Sequence, residues 1–244
     1  RFNDTSDMES RMYAKVEDIE EYLNDNPTKP FISCEYTHSM GNSNGNMHKY
    51  TELEDKYPMY QGGFIWDYID QGIMTKDRVG KEFLAYGRDF ADRPTDYNFC
   101  FNGIVLANRK PSPKIQEVKY LFSNFKLYPK KNEVLIKNES LFTNANEYDL
   151  KYSIKKDGKT IFTNKIVADV EPLSSKTIVL NLPEFTEGGE YIVETALELR
   201  TETIWACKNH EISCGQYVYE VEAVKEDIEL KELVIENSDV NLGV

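Results

Sequence analysis

Histidine, tryptophan and cysteine are sparse in this 244-residue chain, at three, two and four residues. His38, His48 and His210 show no zinc-ligand spacing. Cys34, Cys100, Cys207 and Cys214 are too few and too irregular for a disulfide scaffold or a zinc site, so reduced thiols in a cytoplasmic protein are the expectation. No apolar run approaches the roughly 20 residues that cross a bilayer. No basic segment followed by an apolar one opens the chain, so no membrane is expected as a partner. Positive charge is also in deficit: 29 Lys and Arg face 42 Asp and Glu, a net charge of −13. A polyanion would be repelled, which argues against nucleic acid. The glycine-rich stretch from Gly41 to Asn46 lacks the lysine of a phosphate loop and the spacing of a dinucleotide fingerprint, which argues against nucleotides. The chain starts at Arg1 instead of Met and stops at Val244, from which we expect a piece of a longer polypeptide.

What is present is a core-forming composition, 40% hydrophobic and 12% aromatic, distributed in two textures that meet near residue 125. The first texture is mixed α/β. Val16, Ile19, Tyr22 and Leu23 share one face at helical spacing, predicting a helix over Val16–Asn24. Phe31-Ile32-Ser33-Cys34 reads as a short strand buried on both faces. A helix around 47–56 follows, ended by Tyr57-Pro58, and Gly63-Phe64-Ile65-Trp66 reads as a second buried strand. That order is a βαβ unit, so the two strands are expected to be parallel. Residues 71–110 lack periodicity and are expected to form a long functional loop. Ser112-Pro113 should open a last helix as N-cap and first residue, with Ile115, Val118 and Phe122 as its buried stripe.

The second texture is all-β. Strands are expected over 133–137, 148–154, 160–165, 176–181, 190–200 and 210–220, within a set of about seven. Tyr148, Leu150, Tyr152 and Ile154 alternate onto one face, and Asp157-Gly158 is a type I′ hairpin signal. Count and spacing fit an immunoglobulin-like sandwich without the cysteine pair of antibody domains.

Several residues could carry chemistry. Glu35 closes an apolar strand at its carboxyl end, where parallel sheets and barrels place reactive groups; it could equally be a strand-end carboxylate meeting solvent. His38 can lean into the same space. Trp66 ends the second strand, where an indole can face the C–H side of a sugar ring, although a Trp in an apolar strand also reads as core. Asp67, beside it, could accept sugar hydroxyls. Asn102 offers a carbonyl and an amide suited to a hydroxyl or a hard cation, and Asn102-Gly103 is also a plain turn signal. The sandwich taken alone would suit a non-catalytic carbohydrate-binding or assembly module.

Four motifs in one order now carry a resemblance. Cys34-Glu35-Tyr36-Thr37-His38-Ser39-Met40-Gly41-Asn42-Ser43 resembles the nucleophile segment of the large bacterial β-galactosidases of glycoside hydrolase family 2. Gln61-Gly62-Gly63-Phe64-Ile65-Trp66-Asp67-Tyr68-Ile69-Asp70-Gln71 is similar to the family's next strand. Tyr86-Gly87 with Asp89-Phe90, and Phe99-Cys100-Phe101-Asn102-Gly103, are similar to the loop that follows. Met12-Tyr13-Ala14-Lys15-Val16 resembles the segment before the nucleophile. Relatives acting on glucuronides or mannosides have a different run after the nucleophile, which favours galactosides over other glycosides.

The resemblance implies an α/β part followed by an all-β part: residues 1–125 as the C-terminal portion of a (β/α)8 barrel, 126–225 as an immunoglobulin-like domain, and 226–244 as the start of a further β-sandwich. It implies Glu35 as nucleophile with Tyr13 as its hydrogen-bonding neighbour. It implies His38 and Trp66 as sugar contacts, and Asn102 and the Phe99 carbonyl as ligands of Na+. The acid/base carboxyl and the Mg2+ ligands would lie on earlier barrel strands, outside this sequence. A β-galactoside such as lactose is the implied substrate, the rest of the polypeptide the implied partner, and a homo-oligomer the implied state of the whole enzyme.

Overall fold

The computed structural model describes residues 5–222, and the chain divides into two compact units, Arg1–Asn124 and Phe125–Val244. In the first, β1 (Glu9–Met12), β2 (Phe31–Tyr36) and β3 (Tyr60–Ile65) form a sheet in the order β1-β2-β3, parallel throughout. Helices α1 (Val16–Asn24) and α2 (His48–Lys56) make the crossovers. Ile19 and Leu23 of α1, Leu53 of α2, Phe31 and Tyr60 are buried together, so the helical stripe read from the sequence is what seats α1 on the sheet. A second cluster, Tyr36, Met47, Ile104 and Val118, brings in α3 (Ile115–Phe122).

Strand β1 was not legible as a strand, because its four residues, Glu-Ser-Arg-Met, carry no apolar alternation. Pairing with β2 recruits it: Arg11 ion-pairs with Glu9 at 2.9 Å, and its guanidinium stands 5.6 Å from the ring centres of Tyr22 and Phe31. Two expectations for this unit need correction. Residues 71–110 are not loop throughout, since β4 (Ile73–Lys76) and β5 (Glu82–Ala85) pair as an antiparallel hairpin. Ser112 is not the N-cap of the last helix. Its hydroxyl donates to the Ile104 carbonyl at 2.7 Å, the cap position falls at Lys114, and Phe122 is exposed while Ile115 and Leu121 pack beside Val118.

The described residues of the second unit form a two-sheet sandwich of seven strands. One sheet has β6 (Phe125–Pro129), β7 (Glu133–Asn138) and β10 (Ser174–Val179) in the order β10-β7-β6. The other has β8 (Tyr148–Lys156), β9 (Lys159–Val167), β11 (Gly189–Leu199) and β12 (Glu211–Val221) in the order β12-β11-β8-β9. Every pairing is antiparallel. The expected alternation holds: Leu150, Tyr152 and Ile154 are fully buried against Leu127, Val134 and Ile136 of the facing sheet. Asp157 and Gly158 have φ of 49° and 74°, as the type I′ turn between β8 and β9 requires. The expectation for 226–244 lies outside the described residues. No helix among the described residues is long and apolar enough to cross a membrane.

Candidate active site

Glu35 owes its position to an irregularity that strict alternation would not produce. Phe31 and Ser33 are buried on the helix-covered side of β2, and regular pleating would put residue 35 there too. The pairing with β1 instead runs Arg11 to Ser33 and then Met12 to Glu35, so one extra residue bulges at Cys34. The bulge lets Tyr36 take the helix-covered side, where it is 1% exposed, and leaves Cys34 exposed and Glu35 half-buried at the open end of the strand.

Tyr13 and His38 gather around this carboxylate. The Tyr13 N–H donates to the Glu35 carbonyl at 2.8 Å, which carries the tyrosine across from the end of β1. Its ring meets the His38 imidazole edge-on, with centroids 5.8 Å apart. Partial burial, and then the hydrogen bond and charge of Glu35, push the Tyr13 phenol well above its ordinary value. The tyrosine therefore stays neutral beside the carboxylate. Both turn residues here, Tyr13 at φ 52° and Thr37 at φ 46°, occupy the left-handed region that non-glycine residues seldom adopt.

A second cluster forms beyond β3. The Trp66 carbonyl accepts the Ser39 N–H at 2.7 Å, tying the segment after Glu35 to the end of the next strand. The Trp66 indole is 36% exposed, available as a face and not consumed as core. The Asp67 N–H donates to the Asn102 carbonyl at 2.7 Å, and the Ile104 N–H returns to Asp67 at 3.0 Å. Asn102 is 2% exposed; its amide donates to the Phe99 carbonyl, while its Oδ1 is buried without a partner. The buried, unpartnered Oδ1 is the kind of oxygen donor that a hard cation takes, while the Phe99 carbonyl is engaged by the Asn102 amide nitrogen. Among the described residues no group of three or more His, Cys, Asp or Glu side chains could hold a metal ion.

The reading of Asp67 as a free acceptor of sugar hydroxyls is narrowed. Its carboxylate accepts the Tyr68 N–H and the Gln71 amide, the latter at 2.9 Å. Two further charged residues, of which only Asp70 stood in a quoted motif, matter to the geometry. Asp70, 9% exposed, accepts the Gly103 N–H at 2.7 Å and holds the Asn102 turn in place. Lys114 donates to the Ser39 carbonyl and, at 3.3 Å, to that of Gly41. For Lys114 the sequence offered only a charged residue near an apolar segment, which is too common to read.

Three parallel strands with alternating helices are the arrangement of part of a (β/α) barrel, with Glu35 at the carboxyl end of its strand. Residues 1–127 match the family model described as Glycosyl hydrolases family 2, TIM barrel domain, and residues 134–220 match that described as Beta-galactosidase, domain 4. The chain belongs to glycoside hydrolase family 2. It is 53% identical over 246 residues to a protein named Beta-galactosidase from Halalkalibacterium halodurans, covering 100% of this chain and 24% of that one. A Beta-galactosidase from Clostridium acetobutylicum is 53% identical over 242 residues, covering 97% of this chain and 26% of its own length. A Beta-galactosidase large subunit from Leuconostoc lactis is 57% identical over 118 residues, 48% of this chain and 19% of that protein. The chain thus spans about a quarter of the length of the first two relatives.

Proposed function

We propose that this chain is a portion of a retaining β-galactosidase that hydrolyses terminal β-D-galactosides such as lactose, with Glu35 as its nucleophile. The observation that carries the reading is the meeting of Glu35, Tyr13 and His38 at the carboxyl end of a parallel strand. The 53% identity to two proteins named Beta-galactosidase supports the substrate class.

In this reading the sugar's C–H face lies on the Trp66 indole while His38 takes a galactosyl hydroxyl. A Glu35 oxygen attacks the anomeric carbon, and the bond to the leaving oxygen breaks as an acid elsewhere in the polypeptide protonates it. Water then attacks the same carbon, loses its proton to that group, and frees the Glu35 carboxylate. The neutral Tyr13 hydroxyl orients the nucleophile by donating to it. Asn102 Oδ1 and the Phe99 carbonyl would hold Na+, which supplies a fixed positive site for a sugar hydroxyl. The acid/base carboxyl belongs about 5–5.5 Å from Glu35 in a retaining enzyme. It, like any Mg2+ ligands, would come from parts of the polypeptide that precede this chain.

The domain reading extends the same proposal: 1–125 as barrel, 126–225 as an immunoglobulin-like sandwich, and 226–244 as the start of another β-sandwich. The whole enzyme is proposed to be a cytoplasmic homo-oligomer in which this chain works with the rest of its own polypeptide. Incubating the full-length parent with a 2-fluoro-galactoside and mapping the labelled peptide tests the mechanism. Label on Glu35 is the expected result; label on another carboxylate of a turning-over enzyme would overturn it.

A further inference from the structure

The turn that carries His38 has little to hold it from its own neighbourhood. Thr37 is β-branched and sits at φ 46°, and Gly41 is at φ 66°. The Ser39 hydroxyl reaches only the Thr37 carbonyl, at 3.3 Å. A turn built from left-handed residues persists when surrounding groups hold it. Two such groups act on Ser39. Its N–H is taken by the Trp66 carbonyl at 2.7 Å, and its carbonyl accepts from Lys114 Nζ. The same ammonium reaches Gly41 at 3.3 Å.

Lys114 is well placed for that work. It lies at the cap of α3, whose Val118 is buried with Tyr36 and Met47, so the root of its side chain is fixed in the same cluster that seats β2. Its ammonium stands in the field of Asp70, the carboxylate that accepts the Gly103 N–H beside Asn102. Burial lowers the Lys114 pKa and Asp70 opposes that fall. One cation therefore faces both the turn after β2 and the acidic group that anchors the turn holding Asn102.

We propose that Lys114 is a positioning residue that clamps the His38 turn against the end of β3, and so sets how tightly the enzyme grips the galactosyl group. The proposal rests on the galactosidase reading above, because the grip is defined by that substrate. It assigns no chemistry to the lysine: Nζ supplies donors to two carbonyls, and the side chain acts on substrate only through His38.

The test uses the full-length parent with Lys114→Gln, Lys114→Met and Lys114→Arg. Loss of a charged donor from a pair of carbonyls is expected to raise KM for a nitrophenyl β-galactoside about tenfold in the Gln and Met variants. Because Glu35 is untouched, kcat should stay within about twofold. Arg, which keeps the charge and two donors, should recover most of the loss. Amide exchange at Ser39 should quicken about tenfold in the Gln and Met variants and stay near the parent rate in the Arg variant. Unchanged Ser39 exchange, or faster exchange with unaltered KM, would overturn the inference. If the unsubstituted parent hydrolyses no β-galactoside, the functional reading fails separately. Ser39 exchange then decides the clamp alone, faster exchange supporting it and unchanged exchange ending it.

Discussion

Tyr13 donates its main-chain N–H to the carbonyl of Glu35 at 2.8 Å, and the same residue's carboxylate helps push the Tyr13 phenol above its ordinary value. The two residues are thus registered by strand pairing as well as by their side chains. Removing the phenol should misorient the nucleophile without disturbing the main-chain bond. Tyr13→Phe in the full-length parent is expected to lower kcat on a β-galactoside about tenfold to hundredfold, the range for losing a hydrogen bond to a charged group. Steady-state kinetics measure this directly. The same residue makes a pH prediction. Its folded-state pKa lies above the ordinary 10.0, so its contribution to stability is complete below that value and is lost as pH climbs through the folded one. Unfolding stability followed above about pH 10 should therefore fall less steeply in Tyr13→Phe than in the unsubstituted protein.

Gly103 tests the second cluster. A Cβ there would stand 2.2 Å from the Asp70 nitrogen and 2.4 Å from the Val105 carbonyl, both main-chain atoms that cannot step aside. Gly103→Ala should displace the turn that carries Asn102. In the parent enzyme we expect a loss of Na+ dependence together with at least about tenfold weaker kcat/KM. A variant with unchanged Na+ response would detach this turn from the cation.

The sandwich has its own sensitive point on the outer face of β11. Glu198, with its side chain 7% exposed, lies between Lys151 at 2.9 Å and Lys165 at 2.6 Å. Burial alone would raise its pKa, but hydrogen bonds from Lys165 and Lys151 overcome that and hold it below the ordinary 4.5. A depressed carboxyl stabilises the fold above the unfolded value and ceases to do so as pH falls through the folded one. Glu198→Gln is expected to cost about 2–3 kcal/mol near neutral pH, less than a fully enclosed pair because both lysines reach solvent. The deficit should shrink below about pH 4. Denaturant titrations of both forms across that range give the result.

The chain by itself should be silent. The proposed acid/base carboxyl lies outside this chain, and a whole (β/α)8 barrel takes about 250 residues where this unit has about half that. A chromogenic β-galactoside assay on the pure chain is expected to show no turnover above background. Activity that survives in the chain and disappears on Glu35→Gln would refute the proposed division of the site.

Legibility differed by element for physical reasons. Helix α1 and strand β8 could be read because their periodicities answer to one buried face each, as Ile19 and Leu23, or Leu150, Tyr152 and Ile154, illustrate. Strands β2 and β3 could be read as short apolar runs, but the expected burial on both faces does not hold, since Cys34, Phe64 and Trp66 are exposed. The Asp157-Gly158 turn could be read because only a few residue pairs accept two positive φ values. Strand β1 could not, since its membership depends on a partner and a guanidinium stacked on two rings from other elements. Phe122 misled because helical spacing names a stripe without saying which neighbours are present to cover it.

The amino-acid order alone determined which residues could do chemistry, and through motif likeness it pointed to the family, because reactive groups and their local spacing are written in one dimension. Where those groups face was decided in three dimensions. The bulge at Cys34 turns Glu35 off the helix-covered side, and the bond from Ser39 to Trp66 brings two strand ends together. Lys114 and Asp70 hold the turns from positions far along the chain. Such contacts join residues distant in sequence, and their energy exists only once the sheet and its helices have closed around them.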